Sequence, residues 1–239
     1  VDGSSLFRIP IGDIVLWFVA FLFSLSLHEC AHAWTSERFG DDTGRYQGRI
    51  TLNPMAHIDW IGTVLIPLFG FLQAGFSFIG WAKPVETNPL SWRDKKMANI
   101  WVAAAGPISN LILALITFVA IKILMFSGIL MPAYSNFGFF TLVVPASPED
   151  VLLGAFAKIL SIMLMLNISL AVFNMIPVPP LDGSHILESL LPPNAAEKYS
   201  MLRPYGFMLL LVLMYTGVFG VIVTPVYIGV LSLLYGVKF

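Results

Sequence analysis

His28, Glu29 and His32 fall within LSLHECAHAW at residues 25–34, and they are the residue types from which a hydrolytic metal centre is built. On an α-helix, positions four apart lie one turn apart on the same face, so both imidazoles can reach one ion. That spacing suits tetrahedral zinc, which accepts nitrogen ligands. Glu29 sits next to the first histidine and off the ligand stripe, where its carboxylate can reach a water beside the metal and act as general base. The competing account is a helix that buries two histidines for packing alone. The neighbouring residues are apolar on both sides, however, and in lipid two histidines and a glutamate cost enough that function is the default reading.

Composition says what must position these groups. The 239 residues are 57% hydrophobic and 11% charged, with mean hydropathy +0.83, whereas a soluble domain carries about a quarter charged residues. The chain belongs in a bilayer, and at roughly 20 residues per crossing it has room for about five or six spans and no sizeable extramembrane domain. A net charge of −1 with scattered basic residues gives no footprint for nucleic acid. Cys30, the only cysteine, has no partner for an internal disulfide and reads as a small packing residue. A secretory signal peptide is disfavoured because the run at residues 9–27 exceeds a usual apolar region and Arg8 is balanced by Asp2 and Asp13.

Along the chain, the first span ends near Glu37, Arg38 and Gly40, the polar and glycine signals of a helix exit. Residues 46–52 alternate enough to predict a short strand, and residues 58–78 are apolar but interrupted by Gly70, Gln73 and Gly75. Clear spans follow at 97–125 and 151–173, and two more hydrophobic stretches lie at 202–216 and 218–237. If residues 58–78 crossed the membrane, Asp182 would emerge on the face opposite His28. If they dip in and return, Asp182 reaches the depth of His28. The charges favour the second arrangement: Arg38, Arg45, Arg49, Lys83, Arg93, Lys95 and Lys96 crowd two loops, while residues 127–149 contain no Lys or Arg. By the positive-inside rule the first two loops are cytoplasmic and the third external. The expected fold is an all-α polytopic membrane protein with about five transmembrane helices plus a re-entrant segment carrying a short β-hairpin or strand, N-terminus outside and C-terminus inside. Its short 202–216 span is the weakest element.

Two histidines do not complete a catalytic zinc site, which takes three protein ligands. Asp182 is the third candidate: it is the only carboxylate in residues 160–187, a mostly apolar stretch broken by Pro177, Pro179 and Pro180, and a buried carboxylate needs a partner. HECAH at 28–32, together with Asn174, Pro177, Pro179, Leu181, Asp182 and Gly183 in the pattern N-x-x-P-x-P-x-L-D-G, resembles the site-2 protease family of intramembrane zinc metalloproteases. AGPISN at 105–110, GRITLNPMAHID at 48–59 and GWAKPVETNP at 80–89 are similar to a compact bacterial-type branch. The resemblance implies one zinc per chain held by His28, His32 and Asp182, with Glu29 as base and Asn174 on the substrate backbone. The expected departure from better-known members is the lack of a PDZ domain, for which the 127–149 loop is too short, and of a CBS domain, for which no C-terminal extension remains. The whole chain, 1–239, then reads as a single membrane metalloprotease domain, with core helices at about 11–38, 97–126 and 151–174, a re-entrant region at about 58–80 and C-terminal helices at about 202–237.

Other polar residues carry weaker expectations. Asn110 is a second candidate for the substrate backbone or a developing oxyanion, with helix–helix hydrogen bonding as an equal alternative. His57 is an accessory candidate in an interfacial loop, where a structural hydrogen bond is the more ordinary role. His185 reads as a neighbour of the metal site or a surface residue. A substrate transmembrane helix must unwind before cleavage, and an exposed strand edge at residues 48–52 or 80–85 would receive it by β-augmentation. The resulting expectation is an intramembrane protease of the cell membrane, active site toward the cytoplasm, that cuts in or near transmembrane segments of membrane-anchored proteins in regulated intramembrane proteolysis. The resemblance suggests anchored transcription regulators, anti-sigma factors or leftover signal peptides as substrates. The alternative is a metal-binding membrane transporter or sensor. A transporter should show duplicated broken helices in two halves, and the sequence has no internal repeat.

Overall fold

The computed structural model of the protein describes residues 10–74, 80–133 and 141–237. Helix α1 runs Ile11–Arg38, starting after Pro10 with Asp13 in its first turn and ending at Gly40, whose φ of +105° turns the chain away. A single turn, α2 (Thr43–Tyr46), follows. Asp59 then caps a π-helical turn at Trp60–Leu65 by accepting from the Ile61 and Gly62 N–H groups, and this turn runs into α3 (Ile66–Ala74). Among the described residues the apolar helix here falls short of a membrane-crossing length. The returning strip comes back beside its start: Trp81 N donates to Gly62 O at 3.1 Å and Thr63 Oγ1 donates to Trp81 O at 2.7 Å. Residues 75–79, in the interior of the re-entrant region, lie outside the described residues.

Helix α4 (Lys95–Phe126) begins where Asp94 accepts from Met97 N, and α5 (Val151–Asn174) begins where Asp150 accepts from Leu153 N. Each carboxylate satisfies one of the N–H groups that a helix start leaves unpaired. Between them lie strands β1 (Leu130–Pro132) and β2 (Val143–Pro145), antiparallel with Met131 opposite Val144. The prolines after Asn174 stop regular helix, and α6 (Asp182–Leu190) and α7 (Pro193–Ser200) follow as short helices, then α8 (Gly206–Tyr215) and α9 (Val218–Tyr235). Helix α4 packs against both α1 and α5. Two apolar clusters hold the bundle, one joining Trp17, Phe21 and Leu25 to Ile162 and Leu166, the other joining Ile121, Leu164 and Ile168 to Leu234 and Val143. Large apolar side chains such as Leu111, Leu115 and Ile116 point outward, as a lipid-facing helix requires.

The architecture is that of a polytopic all-α membrane protein, with three corrections to the expected details. Four helices among the described residues, α1, α4, α5 and α9, are long and apolar enough to cross a membrane. The expected span at 202–216 resolves into the ten-residue α8, which at about 1.5 Å per residue covers about half of a hydrocarbon core. The strand expected at residues 46–52 is absent: Gly48 takes φ +67° and Arg49 N donates back to Gly44 O, closing a turn instead. The small sheet lies in the 127–149 connection. The third correction follows from α9. Lys122 Nζ donates to Leu234 O at 3.2 Å and Tyr235 Oη donates to Leu142 O at 2.9 Å, so the end of α9 sits with the 127–149 connection and not on the opposite, C-terminus-inside face. Lys158 pairs with Asp13 at 2.7 Å, which brings the start of α1 to that same end.

Candidate active site

Two ligand candidates come from α1 and the third from the first residue of α6. His28 Nε2 and His32 Nε2 are 3.0 Å apart, and Asp182 Oδ2 lies 3.2 Å from the first and 3.4 Å from the second. All three ligand atoms fall within 4.8 Å of one another. Asp182 reaches them because the break after α5 folds tightly. Gly183 makes this approach: a Cβ there would stand 2.3 Å from Met175 O.

The outer nitrogens fix the rings. His28 Nδ1 lies 2.6 Å from Asn110 Oδ1 and His32 Nδ1 lies 2.6 Å from Val102 O. A backbone carbonyl only accepts, so the His32 proton sits on Nδ1 and the Nε2 lone pair turns inward. The same tautomer on His28 gives three inward atoms that are all acceptors. Asp182 Oδ2 is buried with no hydrogen-bond partner, and the two ring nitrogens beside it present lone pairs. A set of two imidazole nitrogens and one carboxylate oxygen, buried and lacking donors of its own, fits a zinc ion with a coordination position left open.

Helix α4 leaves room for this centre at Gly106. A Cβ on that residue would lie 2.4 Å from His32 Nε2 and 2.5 Å from His28 Nε2. Val102, Gly106 and Asn110 are spaced by four, so one stripe of α4 meets the histidine stripe of α1.

Glu29 lines a cavity of about 560 Å³ that also holds His28, His32 and Asp182 in its wall, a volume typical of ligand pockets. Its Oε2 accepts from Val85 N at 3.3 Å. The rest of the wall is mainly apolar and aromatic, from Phe21 and Leu25 of α1, Ala82 and Val85 of the returning strip, Leu170 and Phe173 of α5, and Phe207 and Leu210 of α8. Asn174 is on the wall too, its amide nitrogen donating to Leu170 O at 2.9 Å. His185 also faces the cavity, and burial, helped by the Arg203 charge, pushes its imidazole below its ordinary value.

Two further expectations meet a different setting. Asn110 is fully buried, away from the cavity wall, with its oxygen on His28 and its nitrogen on Ser24 O and Asn167 Oδ1. His57 is also off the wall: its Nε2 donates to Thr51 O at 2.9 Å, and its carbonyl takes Lys83 N at 2.9 Å. Sequence reasoning passed over Gly106, Val102 O and Asn167, whose involvement depends on how α4 and α5 face α1. The AGPISN segment at 105–110 was the one available signal for Gly106.

The description "Peptidase family M50" matches residues 16–213. The chain is 38% identical over 211 residues to the "Putative zinc metalloprotease YwhC" of Bacillus subtilis (strain 168), covering 87% of this chain and 83% of that protein. It is 27% identical over 206 residues to the "Putative zinc metalloprotease Rip2" of Mycolicibacterium smegmatis (strain ATCC 700084 / mc(2)155), covering 86% and 69%. It is 30% identical over 117 residues to the "Zinc metalloprotease Rip1" of Mycobacterium tuberculosis (strain ATCC 25618 / H37Rv), covering 47% and 29%. No solved structure matches the chain significantly. With four span-length helices around a metal-type ligand set inside the matched region, the chain belongs to peptidase family M50 and is a multi-pass membrane zinc metalloendopeptidase of the site-2 protease type.

Proposed function

We propose that the protein hydrolyses peptide bonds in or near the transmembrane segments of membrane-anchored proteins, with zinc held by His28, His32 and Asp182 and Glu29 as general base. The observation that carries this reading is the convergence of the three ligand atoms within 4.8 Å, in the wall of an apolar cavity that also contains a carboxylate one residue from the first ligand. Zinc in such a site supplies a Lewis acid that lowers the pKa of water and polarises a peptide carbonyl. Glu29 takes the proton of the attacking water and delivers it to the leaving amine. The Val85 N–H on Glu29 Oε2 steadies that carboxylate. Asn174 offers its amide to the substrate backbone from the cavity wall.

The apolar, aromatic wall suits a hydrophobic segment, and the segment must be extended for its peptide bonds to be reached. The strip at residues 80–85 is the edge that receives it: N–H groups of Trp81, Lys83 and Val85 are taken up by Gly62 O, His57 O and Glu29, and alternate backbone groups face the other way in an extended chain. The basic residues after α1 and before α4 support an active site on the cytoplasmic side. Substrates in this reading are proteins released from the membrane by regulated intramembrane proteolysis. Glu29→Gln tests the assignment in purified protein incubated with a membrane-tethered substrate. Zinc content stays at the wild-type level and cleavage falls by about 10²–10⁴-fold, the usual contribution of a general base. Wild-type turnover in this variant refutes the mechanism.

A further inference from the structure

We infer that Asn110 and Asn167 are positioning residues that set the tautomer of His28 through Nδ1, while its Nε2 faces Asp182. The inference rests on His28 being a zinc ligand, as proposed above. Ser24, Asn110 and Asn167 are each 0% exposed and lie on α1, α4 and α5. At this depth no water competes for their hydrogen bonds, so every donor must find a protein acceptor.

The pairing leaves one consistent direction. Asn167 Nδ2 lies 2.8 Å from Met163 O, a backbone carbonyl that can only accept, so the nitrogen of that amide is fixed there. The same nitrogen donates to Ser24 Oγ at 2.9 Å. Asn167 Oδ1 is thereby turned to α4, where it accepts from Asn110 Nδ2 at 2.8 Å. A second backbone carbonyl, Ser24 O, lies 3.3 Å from the same Asn110 nitrogen. Flipping Asn110 would set its oxygen against two acceptors. Its Oδ1 is therefore held toward His28 Nδ1, 2.6 Å away, and that nitrogen must carry the ring proton. His28 is left with a bare Nε2 beside Asp182.

Two backbone carbonyls, passing through two side-chain amides, thus dictate which nitrogen of His28 is free to bind a cation. His32 needs no such relay, because Val102 O holds its Nδ1 directly. A purely structural account of the two asparagines, as hydrogen-bonding links between helices, predicts loss of stability on substitution but no specific change in metal affinity.

The test uses the whole chain in detergent micelles, reading zinc affinity by competition with a chromogenic chelator and ligand geometry from the visible spectrum of the cobalt-substituted protein. Asn110→Leu weakens zinc about 10–100-fold, the usual cost of losing an outer partner of a ligating histidine, and alters the cobalt spectrum. Asn167→Leu causes a smaller loss in the same direction. Asn110→Gln, which keeps both an amide oxygen for His28 Nδ1 and an amide nitrogen for Asn167 and Ser24, binds zinc more tightly than Asn110→Leu. Wild-type affinity and an unchanged cobalt spectrum in Asn110→Leu overturn the relay. Should Asn110→Leu not fold, Asn167→Leu decides, and the relay falls if that variant leaves zinc affinity and the cobalt spectrum unchanged. His28→Ala separates the premise: zinc held there as tightly as in wild type removes the ligand assignment together with the relay. A zinc-free His28→Ala beside a tight-binding Asn110→Leu overturns the relay alone.

Discussion

A single methyl group at Gly106 decides whether the two imidazoles can meet. Added there, a Cβ would lie 2.4 Å from His32 Nε2, closer than non-bonded heavy atoms approach, so the rings must turn away from Asp182. Helix propensity works the other way, since alanine favours a helix interior by about 1 kcal/mol over glycine. Gly106→Ala is thus expected to lower stability by no more than about 2 kcal/mol, the helix gain offsetting part of an overpacking cost of about 1–3 kcal/mol, while weakening zinc at least tenfold, by the same logic that makes ligand orientation worth about 10–100-fold. Zinc titration beside a melting curve checks both halves, and a variant with wild-type zinc affinity contradicts the contact. At this scale much of the site was legible from chain order alone. The HECAH spacing places His28 and His32 on one face, and the proline break before Asp182 marks a carboxylate with no other reason to be there. Gly106, Val102 O and Asn167 were not legible, because their part depends on how α4 and α5 face α1, which no local spacing encodes. Asn110 stood out as a side-chain amide at membrane depth, but the sequence could not say whether it faced the cavity or a histidine.

Among the elements, the strip at residues 80–88 is held against α1 by a buried carboxylate outside the candidate ligand set. Asp41 is 1% exposed. It accepts from Ser36 Oγ at 2.8 Å, from Asn88 N at 2.8 Å, and from both the N–H and the hydroxyl of Thr43. Trp92 Nε1 donates to the same Ser36 hydroxyl at 2.8 Å. Burial pushes the Asp41 carboxyl up, but the donors from Thr43, Asn88 and Ser36 outweigh it and leave it below its ordinary value. A carboxyl whose pKa is lower folded than unfolded stabilises the fold above its unfolded pKa, near 3.9, and that contribution is lost as pH falls toward the folded value. Asp41→Asn should cost about 1–3 kcal/mol at neutral pH, as expected for weakening hydrogen bonds to a buried charged group. Its melting temperature should also fall less steeply than wild type as pH drops below about 4. Parallel pH profiles for the two proteins would show that the Asp41 carboxyl has the same pKa folded and unfolded, against the lowered value. The sequence signalled polar loops on both sides of this clasp but not their union. It also suggested a strand at residues 46–52, where apolar alternation is overridden by the positive φ of Gly48 and the bond from Arg49 N to Gly44 O. Alternation reports which side chains could face inward, not whether a neighbouring strand exists to pair with them.

For the molecule as a whole, the number of crossings fixes where the chain's last described residues lie. Hydropathy counts α8 as a span because its ten residues are apolar throughout, but length, not hydropathy, decides whether a helix reaches across. With α8 confined near the active site, where Phe207 packs edge-on to Trp81 with centroids 6.3 Å apart, the chain passes from the end of α5 to the start of α9 on one side, and Phe219 meets Phe173 there at 5.3 Å. Helix α9 then climbs back to the 127–149 connection, where Tyr235 meets Leu142. If the four span-length helices among the described residues each cross once, residue 237 lies on the same side as residue 149 and opposite residues 45 and 202. Labelling decides the point in a background where Cys30, the only native cysteine, is replaced by serine. Single cysteines at Glu149 and Val237, both exposed, should react with a membrane-impermeant thiol reagent from one face of sealed vesicles. Cysteines replacing the exposed Arg45 and Leu202 should react only from the other. Labelling of residue 237 together with residue 45 would mean that α8 crosses after all, and would place Asp182 and the end of α9 in a different relation from the one the Lys122 and Tyr235 contacts describe.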